Sequence, residues 1–340
     1  MSIDNRQQAI SNRSGKRFSL ALLSLVLFVL CATSQAQPAA KVARVGYLSA
    51  TSASNNAARL EAFRQALQEL GYVEGKNILI EYRYAEGRLD RVTELANELA
   101  RLSLDVILTS GPTPTRAAKQ ASVTTPIVMG FDNDPVGNGF VASLAHPGGN
   151  ITGLSTLHPE ISGKRLELLK EVVPRLNRVA VFGTSNVPGN AQALKETENA
   201  AGLLGINVPY LNVASSDEID AAFRAATKGS ADAVLALASR VLYSQRKKVA
   251  DLAVKHRLPT VYPESEQVED GGLMGYGVSI PHLYRRAATY VDRILKGAKP
   301  ADLPVEQPTK FDLIINLRAA KQIGLTIPPH VLARADRVIR

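Results

Sequence analysis

The chain has 340 residues, a formal net charge of +9, one cysteine and no tryptophan. That length is enough for two ordinary domains. Basic residues alternate with acids, as in Arg59, Glu61, Arg64 and Glu69. This is the pattern of a solvated helix face, and without clustered charge or aromatic platforms a nucleic-acid partner is excluded.

Residues 1–36 read as an export signal. Lys16 and Arg17 precede an apolar run over 20–30, and Ser34, Gln35 and Ala36 form a small-residue exit. The run is shorter than the ~20 residues a membrane-spanning helix needs. Cys31 follows Leu30, where a lipid-accepting cysteine would follow a small residue. Cleavage after Ala36 is therefore expected, leaving a thiol-free periplasmic chain with no disulfide or cysteine-based metal site. Losing Arg6, Arg13, Lys16, Arg17 and Asp4 lowers the charge to +6.

Beyond residue 36 the chain repeats a short apolar run followed by an amphipathic stretch. Residues 42–48 predict a buried strand, and Leu60, Phe63, Leu67 and Leu70 recur at helical spacing before Gly71. Strands are expected over 77–84, 105–109 and 126–131, with helices over 89–102 and 114–121. After the Pro147–Asn150 turn and the apolar run 151–154, the alternation restarts near His158. It predicts helices over 164–173, 191–204, 217–226 and 243–256, and strands over 178–182, 207–213, 233–237 and 259–262. A strand over 273–276, a helix over 282–296 and a strand over 311–315 are too many elements for the second unit alone.

The fold class this predicts is α/β: two doubly wound parallel-sheet lobes joined by a hinge the chain crosses several times. The expected division is residues 37–157 plus about 277–303 in lobe 1 and 158–276 plus about 304–330 in lobe 2. Residues 331–340 are expected to form a tail.

Catalytic motifs fail on their surroundings. Gly137, Gly139 and Ala142 match a dinucleotide fingerprint, but His146-Pro147 ends the helix early and no ribose-binding acid follows. Ser162-Gly163-Lys164 lacks the upstream glycine of a P-loop, His158 standing in its place. The five histidines are scattered, and no nucleophile–base pair or metal-ligand spacing emerges. No enzyme activity, cofactor or metal is expected.

Ligands of an open parallel sheet bind beyond the carboxyl ends of its strands. Those exits here are rich in hydroxyls, amides and acids. The candidate ligand-binding residues are Ser49, Thr51, Ser110, Gly111, Thr113, Asp132, Asp134, Thr184, Ser185, Ser239, Glu264 and Tyr276. The helix start after Ser110, with the hydroxyls of Ser110 and Thr113, would cradle a carboxylate, and Asp132 or Asp134 would face an ammonium. The same residue types are favoured helix caps.

The strings EAFRQALQELGYVEGKNILIEYRYAEGR, TSGPTPTRAAKQA, GKRLELLKEVVP, GGLMGYG and ADLPVEQPTKFDLIINLRAAKQIGLTIPP occur in this order across nearly all of residues 37–340. In this the chain resembles the ABC transporter substrate-binding protein family. The resemblance implies a type I periplasmic binding protein, with two lobes joined by three crossover strands and closing over a small molecule. It also implies an inner-membrane ABC permease as partner, an amino acid or related carboxylate as ligand (some relatives bind aromatic amino acids such as tryptophan), and a monomer. Arg240, if it faces the cleft, would suit an acidic ligand. A ligand-presenting module for a receptor kinase and a secreted α/β hydrolase are the alternatives.

Overall fold

The computed structural model describes residues 42–187 and 189–340. The expected export segment, its exit at Ala36 and Cys31 lie outside the described residues. Among the described residues no helix is long and apolar enough to cross a membrane.

Lobe 1 is built on β1 (Ala43–Ser49), β2 (Ile78–Tyr84), β3 (Val106–Ser110), β4 (Ile127–Asp132) and β5 (Ile151–Ser155). Its helices are α1 (Ala57–Glu69), α2 (Leu89–Arg101) and α3 (Pro112–Ala121). The strands form one parallel sheet in the order β2-β1-β3-β4-β5. Both faces are covered, so β1 and β3 read as nearly continuous apolar runs. Tyr47, Phe63 and Leu108 belong to the core on one face, Leu48, Leu99 and Ile107 to that on the other.

Lobe 2 carries α4 (Ser162–Val172), β6 (Val179–Gly183), α5 (Asn190–Leu204), β7 (Tyr210–Asn212), α6 (Glu218–Lys228), β8 (Ala233–Ala236), α7 (Arg240–Ser244) and α8 (Arg246–Lys255). It continues with β9 (Thr260–Tyr262), α9 (Ser265–Glu269) and β10 (Met274–Gly277). Then α10 (Ile280–Leu295) returns to lobe 1, packing on α1 and burying Tyr284 and Val291 in that core. Glu306 bonds with the β5 segment through Gly153 and Ser155. The chain next enters the second sheet as β11 (Asp312–Asn316), followed by α11 (Leu317–Ile323), α12 (Pro329–Leu332) and β12 (Arg337–Ile339). That sheet has the order β12-β11-β10-β9-β8-β6-β7, with β11 antiparallel to β10. The two α/β lobes expected from the alternation are present.

Residues 331–340 are not a tail. β12 pairs in parallel with β11, and Asp336 receives the Leu313 N–H on its carboxylate. Three residues flanked by charges carry no strand periodicity, so only the exposed sheet edge reveals this strand.

The chain passes between lobes after β5, after β10 and before β11. Arg165, fully buried on α4, ties the first two crossings together. Its Nε donates to the Tyr276 carbonyl (2.8 Å), its Nη1 to the His158 carbonyl (3.2 Å), and its Nη2 meets His158 Nδ1 at 2.9 Å. A guanidinium only donates, so Nδ1 accepts and the imidazole is neutral. Burial and the Arg165 charge both push the His158 pKa down.

Candidate ligand-binding site

The carboxyl ends of the strands in both lobes face one another across a cavity of about 190 Å³. Lobe 1 contributes Thr51 from the β1 exit, Ser110 to Pro114 from the β3 exit, Phe131 and Asn133 from β4, and Leu89. Lobe 2 contributes Asn186 and Val187 after β6, Ser239, Arg240 and Tyr243 after β8, and Glu264 after β9.

Six of the twelve sequence candidates line this cavity: Thr51, Ser110, Gly111, Thr113, Ser239 and Glu264. Ser49 and Thr184 lie just behind the lining. Ser49 Oγ bonds with Thr51, and Thr184 Oγ1 donates to the Val213 carbonyl and meets Ser239 Oγ at 2.7 Å. Ser185 lies outside the lining, its backbone N–H donated to Asn212 Oδ1. Tyr276 belongs to the hinge, its carbonyl held by Arg165 and its ring beside Phe311.

Asp132 and Asp134 are outside the lining, against the expectation that one of them faces a ligand ammonium. Successive strand side chains point to opposite faces, so with Phe131 and Asn133 on the cavity, Asp132 between them points away. Its Oδ1 accepts from the Asp134 N–H and from Asn138 Nδ2. Asp134 in turn closes a turn by accepting the Gly137 N–H.

The helix start after Ser110 is also narrower than expected. Gly111 caps α3 at φ 92°, and a β-carbon there would press on the Phe131 ring at 3.1 Å. Proline occupies the first and third helical positions, Pro112 and Pro114, and proline has no N–H. Thr113 is thus the one residue of the first three that offers a backbone donor.

The sequence reading missed the centre of the site. Arg59, assigned by its charge pattern to a solvated face, is 3% exposed. Its Nη2 meets Glu264 Oε2 at 2.6 Å and its Nε meets Glu266 Oε1 at 3.0 Å. Its guanidinium lies 4.3 Å from the Tyr243 ring centroid and 5.3 Å from that of Phe131. Burial opposes its charge, but Tyr243, Glu266 and Glu264 outweigh burial and raise its pKa. Burial pushes Glu264 up to about 7 against the pull of Arg59.

These contacts join the lobes, since Arg59 rides on α1 and both carboxylates on the β9–α9 corner. Two more bridges run beside them: Tyr243 Oη donates to the Asn55 carbonyl (3.1 Å) and Arg246 Nη1 to Asn55 Oδ1 (2.7 Å). The cleft is closed. Arg240 also lines the cavity and is half-buried, with no ion-pair partner among the described residues; burial lowers its pKa.

The second missed feature is Asn56, fully buried beneath Thr51 and Ser110. Its Nδ2 reaches Ser52 O (2.7 Å), Thr51 Oγ1 (2.8 Å) and Ser49 Oγ (3.0 Å). Its Oδ1 receives the hydroxyls of Tyr47 (2.8 Å) and Ser110 (3.2 Å). In the sequence it stands in an unremarkable SASNNAA stretch.

Comparison with known proteins agrees with this architecture. A tyrosine-binding protein of Clostridioides difficile is 27% identical over 266 residues, covering 78% of this chain and 76% of the relative. The structure superposes on an ABC domain from Streptococcus pneumonia in complex with L-Trp with a TM-score of 0.81. That pair is 26% identical and covers 87% of this chain and 99% of the other. Against the ligand-free, open structure of a Clostridium difficile substrate-binding protein with adhesive properties the TM-score is 0.66, at 24% identity and 88% and 99% coverage. The fold is that of a type I periplasmic binding protein. The model of the ABC transporter substrate binding protein family matches residues 47–339, and the chain belongs to that family.

Proposed function

We propose that this protein captures an aromatic amino acid between its lobes outside the cytoplasm and hands it to an ABC permease in the inner membrane. The observation that carries the reading is the composition of the closed cavity. Phe131 and Tyr243 supply aromatic walls, while charges of both signs come from Arg240 and from the Arg59, Glu264 and Glu266 group. An aromatic zwitterion needs both. The tyrosine-binding relative and the L-Trp complex support the same ligand class. A capture protein needs no nucleophile; it needs ligand contacts from both lobes that favour the closed state.

Isothermal calorimetry and thermal unfolding of residues 37–340 against L-tryptophan, L-tyrosine, L-phenylalanine and arabinose test this reading. At a hundred times its dissociation constant, a bound amino acid is expected to stabilise the protein by about 2.7 kcal/mol. A shift with arabinose and none with the three amino acids would refute it. Delivery is checked by uptake of the labelled ligand, which should fall when this protein alone is deleted.

A further inference from the structure

Resting on the amino-acid reading, we infer that the Asn56 network fixes the hydrogen-bond polarity of the two cavity hydroxyls: Thr51 presents a proton and takes the ligand carboxylate, while Ser110 presents lone pairs and takes the ligand ammonium.

The argument begins with the side-chain amide. The Asn56 atom 2.7 Å from the Ser52 carbonyl must carry hydrogen, because a carbonyl only accepts. That places Nδ2 toward Ser52, Thr51 and Ser49, and Oδ1 toward Tyr47 and Ser110. Oδ1 has two lone pairs and two hydroxyls in reach, so Tyr47 and Ser110 both donate to it. Tyr284, from the returning helix α10, is 3.3 Å from the Tyr47 hydroxyl and donates in its turn. The Ser110 proton therefore points away from the cavity, and its lone pairs face it.

Thr51 is held in the opposite sense. Ser49 Oγ accepts the Thr51 N–H (3.2 Å), and of the two Asn56 Nδ2 hydrogens one lies on the Ser52 carbonyl (2.7 Å) and the other on Thr51 Oγ1 (2.8 Å). Ser49 is fully buried, and among the described residues Thr51 Oγ1, at 3.2 Å, is the acceptor available to its own proton. Thr51 Oγ1 then accepts from both Ser49 and Asn56. With both lone pairs occupied, the Thr51 proton is left for the cavity its side chain lines. The Thr113 N–H supplies a second donor from the adjoining strand exit. A carboxylate only accepts and an ammonium only donates, so each end of the zwitterion fits one hydroxyl and is refused by the other. This revises the expectation that Ser110 helps to cradle the carboxylate.

The test is calorimetry on Thr51→Val and Ser110→Ala with L-tryptophan, tryptamine, which lacks the carboxylate, and indole-3-propionate, which lacks the ammonium. Thr51→Val is expected to weaken L-tryptophan and indole-3-propionate by about tenfold or more and tryptamine by less than about twofold. Ser110→Ala should weaken L-tryptophan and tryptamine by about the same factor and spare the acid. Exchanged or equal penalties overturn the inference while leaving the capture reading intact. Wild-type protein that binds none of L-tryptophan, L-tyrosine and L-phenylalanine overturns the ligand assignment together with that reading. A neutron structure of the ligand-free protein decides the polarity by itself. The Ser110 deuteron should lie on Asn56 Oδ1 and the Thr51 deuteron toward the cavity, and the reverse placement refutes the inference whatever the ligand.

Discussion

Arg59→Met is expected to weaken ligand binding by roughly 10²–10⁴-fold while both lobes stay folded. In the closed structure one guanidinium neutralises two buried carboxylates, Glu264 and Glu266, and packs on the rings of Tyr243 and Phe131. Methionine retains much of the bulk and none of the charge. Breaking a buried ion pair by removing one partner costs about 3–5 kcal/mol, because the remaining charge is left without compensation. At about 1.4 kcal/mol per decade this gives the stated loss. The cost falls on closure rather than on folding, since the open cleft returns both carboxylates to water. Calorimetry should show the weaker affinity, and small-angle scattering a larger radius of gyration at saturating ligand.

Two controls isolate the cause. Adding Glu264→Gln to Arg59→Met should recover part of the affinity, because it removes one of the stranded charges. The defect of Arg59→Met should also shrink as the pH is lowered from about 8 to about 5. Glu264 is pushed up by burial, and an acid whose pKa is raised on closure favours the closed state once protonated. Affinity for Arg59→Met within about twofold of wild type would show that the bridge does not govern closure.

The second large effect concerns stability. Asp132 is fully buried, and its Oδ2 has no hydrogen-bond partner among the described residues. Burial pushes its pKa from an ordinary 3.8 up to about 7, against the bonds from Asp134 N–H and Asn138, and the nearby Asp134 charge adds to the rise. An acid with a higher pKa folded than unfolded binds its proton more tightly in the native state. Its contribution to stability is therefore full below about pH 4 and lost as the pH rises toward 7. A shift of this size corresponds to a loss on the order of 4 kcal/mol.

Asp132→Asn should remove that pH dependence. The amide keeps Oδ1 for the Asp134 and Asn138 donors and puts a neutral group where Oδ2 stood. An unsatisfied buried N–H costs about 1–3 kcal/mol, so the net gain expected at pH 8 is about 1–3 kcal/mol. Urea unfolding of residues 37–340 at pH 5 and pH 8 checks it: the variant should lose less stability between them than wild type, by about 1–3 kcal/mol. Ligand affinity should stay within about twofold, since Asp132 points away from the cavity. A tenfold loss of affinity in Asp132→Asn would return Asp132 to the binding site.

Much of the architecture was legible along the chain because its causes are local. Apolar runs at strand length, amphipathic stretches at helical spacing and glycines at helix ends announce two α/β units wherever they lie in space. The parallel-sheet rule then directs attention to the strand exits, and Thr51, Ser110, Thr113, Ser239 and Glu264 do line the cavity. Pro112 and Pro114 already restrict the α3 start to one backbone donor, since a missing N–H is a property of the residue itself.

What the tertiary structure decided is everything that depends on which surfaces meet. Arg59 has the charge pattern of its exposed neighbours Glu61 and Glu69, and only the approach of the β9–α9 corner buries it. Asp132 and its neighbours Phe131 and Asn133 are equally plausible on either face until the strand's parity is set, beside the register shift between Met129 and Asp132. Asn56 governs the polarity of two hydroxyls from separate strand exits because β1 and β3 are adjacent in the sheet, though far apart in the chain. Composition and periodicity report what each segment would bury. The partner of a buried charge, and the direction of a shared proton, are properties of pairs, and those pairs form only when the lobes and the hinge come together.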